Sequence, residues 1–158
     1  MRKRHITPSP LGGRSDRDHR LDLSTTGLVE VTSEDKDYPI ESALIPGRSE
    51  KGWRAAEPGT HTIRLIFDRP QQLKRIVLVF EEEETSRTQE FVLRWSPDRD
   101  GTLREVVRQQ WHFSPPHTIT EVEEYRVELA DVTVLEMTII PDIAGGLARA
   151  SLNSLAVY

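Results

Sequence analysis

The feature that most constrains this chain is a period of two. Apolar and polar residues alternate in short runs, and turn residues split the runs apart. In Thr62–Phe67, Ile63, Leu65 and Phe67 share one parity, while Thr62 and Arg64 take the other. Successive side chains of a strand point to opposite faces, so such a run buries one face and wets the other. The same pattern recurs in Leu28–Thr32, in Thr88–Ser96 (Phe91, Leu93, Trp95), in Leu103–Phe113 (Leu103, Val107, Trp111, Phe113) and in Ile119–Leu129 (Tyr125, Val127, Leu129). Lys74–Glu81 is apolar on both parities, as a central strand is, and Val132–Ile140 and Ser151–Tyr158 complete roughly eight strands. Asp68-Arg69-Pro70, Pro97–Gly101, Ser114-Pro115-Pro116 and Pro141–Gly146 punctuate them. Proline fixes one dihedral and glycine accepts a positive one, which is what turns require. Strands at this spacing predict an all-β, antiparallel sandwich or barrel. A parallel sheet would read as continuous apolar runs. No apolar stripe of helical period and length appears, and no internal repeat.

Length limits the chain to one ordinary domain. No run of about 18 apolar residues exists, so no membrane span is expected. Charge is divided unevenly. Residues 1–20 hold six Lys/Arg and two acids, net +4, which leaves the remainder of the −5 chain at −9. Residues 1–22 carry Pro8, Pro10, Gly12 and Gly13 without apolar periodicity, and predict a disordered basic tail before a folded domain over 23–158. An acidic body argues against nucleic acid as partner of the folded part, because phosphate contacts need positive charge. No apolar segment follows the basic start, as a secretory signal would require. Cysteine is absent, which excludes disulfides and thiolate chemistry. Together these predict a cytoplasmic location.

A catalytic reading finds little support. There is no glycine-rich phosphate cradle and no nucleophile elbow. The run Glu81–Glu84 offers carboxylates, but neighbours in a turn point into solvent, where nothing raises a carboxyl pKa. It reads as a solvated hairpin. His112 and His117 flank Pro115-Pro116, but no third ligand for a catalytic zinc is indicated by spacing. Arg64, Arg94, Arg104, Arg108 and Arg126 share the solvent parity. They form either an anion-binding patch or cross-strand ion pairs with Glu90, Glu105, Glu123 or Glu128, and pairing is the simpler expectation.

Four stretches carry a family likeness: Gly52-Trp53-Arg54-Ala55; Thr62–Phe67 followed by Gln72–Leu78; Phe91–Asp98 through Gly101; and Val134–Ile139 with Ser151–Val157. In order and spacing they resemble the discoidin-like domain, the coagulation-factor C-terminal type within the galactose-binding-like jelly rolls. The likeness covers about residues 28–158. It implies an antiparallel jelly-roll β-sandwich and a non-catalytic module binding carbohydrate through loops at one end. Here those loops are 46–54, 84–88, 112–117 and 142–147. The terminal disulfide of secreted members is missing, and Glu41–Gly47 stands where several relatives carry an Asp-Gly-Asp loop for structural calcium, so no cofactor is expected.

Sugar sites combine an aromatic platform with a few orienting polar groups. Trp53 falls in an expected loop beside Arg48, Arg54 and Glu57, so it is either a ligand platform or a plug for one end of the sandwich. The candidate ligand-binding residues are Arg48, Trp53, Arg54, Arg87, His112 and His117. Trp95 and Trp111 follow inward parities and are read as core. The alternative function is a protein-interaction domain that has kept the fold without the sugar site. An exposed apolar strip of Ile66, Val77, Val79 and Val92 would favour it.

Overall fold

A computed structural model of the chain describes residues 20–158. Among these residues eight strands form: β1 (Gly27–Val31), β2 (Trp53–Pro58), β3 (His61–Glu81), β4 (Arg87–Ser96), β5 (Arg104–Phe113), β6 (Thr120–Ile140), β7 (Arg149–Leu152) and β8 (Ser154–Val157). One short helix, α1 (Glu41–Leu44), precedes β2. The tail expected over 1–22 lies, for residues 1–19, outside the described residues. Leu21 already donates its N–H to Val157 O at 2.8 Å.

Two strands are far longer than the sequence suggests. Asp68-Arg69-Pro70 was expected to end a strand, yet β3 runs through it for 21 residues. The β3–β6 register shifts between Ile66 and Leu73, so Pro70 sits where the ladder is interrupted and its missing N–H removes no paired bond. Likewise β6 runs unbroken for 21 residues across the gap expected near residue 131. Asp131 takes φ 57°, a left-handed conformation that aspartate tolerates.

These interruptions are corners. The first half of β3 (61–67) pairs with β1 and with the second half of β6 (134–139), which pairs in turn with β4, and β4 with β5. The second half of β3 (73–81) pairs with β8 and with the first half of β6 (120–129). The result is a five-stranded and a three-stranded antiparallel layer, with β3 and β6 belonging to both. Phe80 of the smaller layer stacks on Phe91 of the larger at 5.1 Å between centroids, and Tyr125 meets Phe91 edge-on at 6.4 Å. Around them Ile63, Leu65 and Leu93, on the parities read from sequence, are buried with Ile139, Ile76, Leu78, Leu155 and Val157. Each such side chain contributes about 1.5–3 kcal/mol.

The strip of Ile66, Val77, Val79 and Val92 is not exposed: Ile66 and Val92 are 8% and 3% accessible, and Val77 and Val79 are half-buried. Val92 stands opposite Arg108, and Ile66 shares its strand parity with Arg64; such long side chains cover apolar surface. Arg64 contacts Glu136 at 2.6 Å, Arg94 lies 3.9 Å from the same residue, and Arg108 bridges Glu90 and Glu105 at 3.2 and 3.0 Å. Trp95 and Trp111 are half-buried against the core, and Arg104 stacks on Trp95.

Candidate functional site

The polar groups gather at one end of the sandwich. Glu82 N donates to Ile119 O, Ser86 Oγ to Phe113 O, and Ile143 N to Thr88 O. The connections following β3, β5 and β6 therefore meet. Beside them a cleft of about 670 Å³ opens between Tyr38, the loop before β2, the acidic run after β3, and the β7–β8 junction at Asn153. Its volume lies in the range of small-molecule sites.

Trp53 lines this cleft from within the wall, and not from a loop as expected. It begins β2, opposite Leu152 of β7, and is fully buried. Gly52 and Pro58, which flank the alternation of Trp53 and Ala55, disguise the strand. The indole Nε1–H donates to Ser33 O at 3.1 Å. Trp53 is therefore the plug and not the platform. Gly52 makes this packing possible: its φ is 69°, and a Cβ there would stand 2.3 Å from Leu152 O. The exposed neighbour Arg54 turns outward and stacks over Tyr38 at 4.5 Å, with Lys51 above the same ring at 5.8 Å. The Tyr38 segment is held by backbone bonds to β2, Arg54 N to Tyr38 O and Asp35 N to Arg54 O.

Arg87, expected to touch ligand, is 3% accessible. Its Nε donates to Glu82 Oε1 at 2.7 Å, its Nη1 donates to Pro141 O at 2.7 Å, and its guanidinium lies over Phe113. Consequently Glu82 is not the solvated turn residue that the acidic run suggests. Burial works to raise its pKa, but the Arg87 hydrogen bond and charge and the Glu84 and Thr85 N–H groups outweigh it and hold the carboxyl below the usual range. His112 is exposed, with Nδ1 2.8 Å from Thr88 Oγ1 and Nε2 3.5 Å from Ser86 Oγ. His117 is exposed on the tight turn of Ser114–Thr118, and Arg48 is exposed in the loop after α1.

Of the six expected residues, the structure brings Trp53 and Arg54 to the cleft and puts Arg87 behind it through Glu82. His112 lies against Ser86 and Thr88 and does not line the cleft. Arg48 and His117 do not line the cleft. Sequence reasoning missed Tyr38, Lys51, Glu82 and Asn153. Tyr38 and Asn153 come from segments more than a hundred residues apart, and no local pattern joins them. Glu41–Gly47 does not fit calcium, which takes six to eight oxygen ligands. The segment forms α1 instead and sends Ala43 and Leu44 into the core. Among the described residues no group of three or more acidic or histidine side chains is placed to hold a metal ion.

No protein-family model and no curated protein matches the sequence. Solved structures do. The family 32 carbohydrate-binding module of Clostridium perfringens NanJ, in complex with galactose, superposes with a TM-score of 0.61 at 14% identity, covering 87% of this chain and 96% of that one. Another family 32 module, CBM32-3 of a family 31 glycoside hydrolase from the same organism, gives 0.63 at 19% identity over 91% and 97%. The AlyQ module in complex with 4,5-unsaturated mannuronic acid gives 0.59 at 16% over 84% and 95%. Likeness at these identities is likeness of fold: the chain has the antiparallel jelly-roll β-sandwich of these modules, as its sequence predicts.

Proposed function

We propose that this domain is a non-catalytic carbohydrate-binding module whose ligand sits in the cleft between Tyr38, Arg54, the acidic run and Asn153. The observation that carries the reading is that cleft itself. It has the volume of a monosaccharide or disaccharide site, an aromatic wall and hydrogen-bonding side chains fixed by strands at the loop end of the sandwich. The named ligands of the structural neighbours, galactose and an unsaturated mannuronic acid, support the sugar class. Five glutamates (Glu50 and Glu81–Glu84) line the cleft together with two cations, Lys51 and Arg54. This acidic balance repels uronates and favours neutral sugars.

Catalysis needs a proton donor or nucleophile that touches substrate. Glu82 lines the cleft but is held ionised by Arg87. The carboxyl with a strongly raised pKa, Glu121, is fully buried and beyond the reach of a substrate.

Titration calorimetry with galactose, N-acetylgalactosamine and galacturonic acid tests the reading. Neutral sugars should bind, galacturonate should bind more weakly, and Arg54→Ala and Asn153→Ala should abolish binding in folded protein. Absence of heat from every sugar at millimolar concentration overturns it. A second reading, a protein-interaction domain, is favoured by one observation: Ile143 and Leu147 in the loop after β6 are 51% and 85% exposed.

A further inference from the structure

The interior of the sandwich turns polar directly behind the cleft. On the first half of β6 the inward parity reads Glu121, Glu123, Tyr125, Val127, Leu129, so two carboxyl groups enter a layer that elsewhere is apolar. Glu121 is fully buried opposite Phe80 of β3. Its Oε1 accepts from Gln89 Nε2 at 3.2 Å, and its Oε2 has no donor. Gln89, also fully buried, accepts through its own oxygen from Arg87 Nη1 at 3.4 Å. Arg87 in turn holds Glu82, whose carboxylate lines the cleft. An unbroken relay thus joins a buried acid to the ligand-facing surface: Glu121, Gln89, Arg87, Glu82.

We propose that Glu121 is a positioning residue for the cleft, and that the proton it holds decides whether Arg87 is committed to Glu82. The proposal rests on reading the cleft as the ligand site. The groups around Glu121 make the competition specific. On its own strand stand Glu123 and Tyr125, whose hydroxyl donates to Glu123 at 3.1 Å. From β4 come Gln89 and Arg87. From β3 comes the apolar ring of Phe80. From β5 comes Trp111, paired with Gln89, its buried indole N–H likewise without an acceptor. His112 faces away, bonded to Thr88 and Ser86. Arg87 is therefore the cation available to an ionised Glu121.

Burial first, and then Glu123 by hydrogen bonding and charge, push the Glu121 carboxyl up to about 8. Two neighbouring carboxyls at this site are compatible when a proton lies between them. With that proton present, Arg87 is free to serve Glu82 and Pro141. When it leaves, the unpaired buried charge draws on Arg87 through Gln89, and Glu82 loses the partner that fixes it in the cleft wall.

The test is an NMR titration of the full chain, following the glutamate carboxyl carbons and the Arg87 Nε–H, with galactose affinity measured over the same range. The Arg87 and Glu82 resonances should shift with the Glu121 midpoint. Glu121→Gln, which keeps the neutral shape, should leave both flat and make galactose affinity independent of pH. Gln89→Met should leave Glu121 titrating while Arg87 ceases to follow. An Arg87 resonance that ignores the titration of Glu121 in the unmodified chain overturns the proposal. So does a galactose affinity that stays flat while Arg87 moves. If no sugar binds and Arg87 still follows Glu121, the relay stands and it is the carbohydrate reading that fails.

Discussion

Replacing Trp53 separates a wall residue from a ligand platform. The side chain is fully buried and bonded to Ser33 O. A tryptophan buries about 150–250 Å². At about 25 cal/mol per Å² this sets an upper figure of about 4–6 kcal/mol, which the compactness of the unfolded chain lowers. Trp53→Ala should therefore cost about 3–5 kcal/mol, the usual range for such a truncation. Trp53→Phe keeps most of the apolar contact and leaves Ser33 O without its donor, at about 1–2 kcal/mol. Urea denaturation followed by far-ultraviolet circular dichroism reads both losses without relying on the fluorophore that is removed. The two variants should rank as alanine, then phenylalanine, then the unmodified chain, with phenylalanine retaining sugar affinity. If Trp53→Ala is as stable as the unmodified chain but no longer binds sugar, Trp53 touches ligand and the burial argument is wrong.

Three further outcomes follow from the same geometry. Glu121 has a folded pKa of about 8 against an ordinary 4.5, so its stabilising effect is complete below about 4.5 and is lost as pH rises through about 8. Stability should fall over that window at up to about 1.4 kcal/mol per pH unit, and Glu121→Gln should flatten the slope in urea titrations. Arg87→Met leaves a half-buried Glu82 without its cation and the Pro141 carbonyl without the guanidinium donor, and should lower stability by about 2–3 kcal/mol, whereas exposed Arg54→Ala should change it by less than about 0.5 kcal/mol. Gly52→Ala meets Leu152 O and must hold φ 69°, a strain of about 1–3 kcal/mol before the clash is counted, readable as a lowered urea midpoint.

Much of the fold was legible because a period of two is a local signal. Ile63, Leu65 and Phe67, and Phe91 and Leu93, are buried on the parity their spacing gave. What escaped depends on distant partners. Nothing within Asp68-Arg69-Pro70 reveals that β6 shifts register there and lets the strand continue. The acidic run reads as solvated because charge normally is, but Arg87, five residues on, folds back across the turn and draws Glu82 inward. One signal for the interior network was present: Glu121 and Glu123 share the parity of Tyr125 and Val127, and a charge on an inward parity demands an explanation. For Arg87 the sequence showed a cation at the cleft end of the molecule, but not that its charge was already engaged.

Because β3 and β6 each pass through both layers, neither layer can be peeled away as a unit. Thr62 bonds Thr138 across 76 residues of chain, so the corner-turning pair closes only when most of the chain is in place. Such non-local closure makes for slow, all-or-none assembly. Amide exchange in the two layers should then report one shared opening energy, while the connections at the cleft end, outside that braid, remain free to change length and chemistry without endangering the frame that carries them.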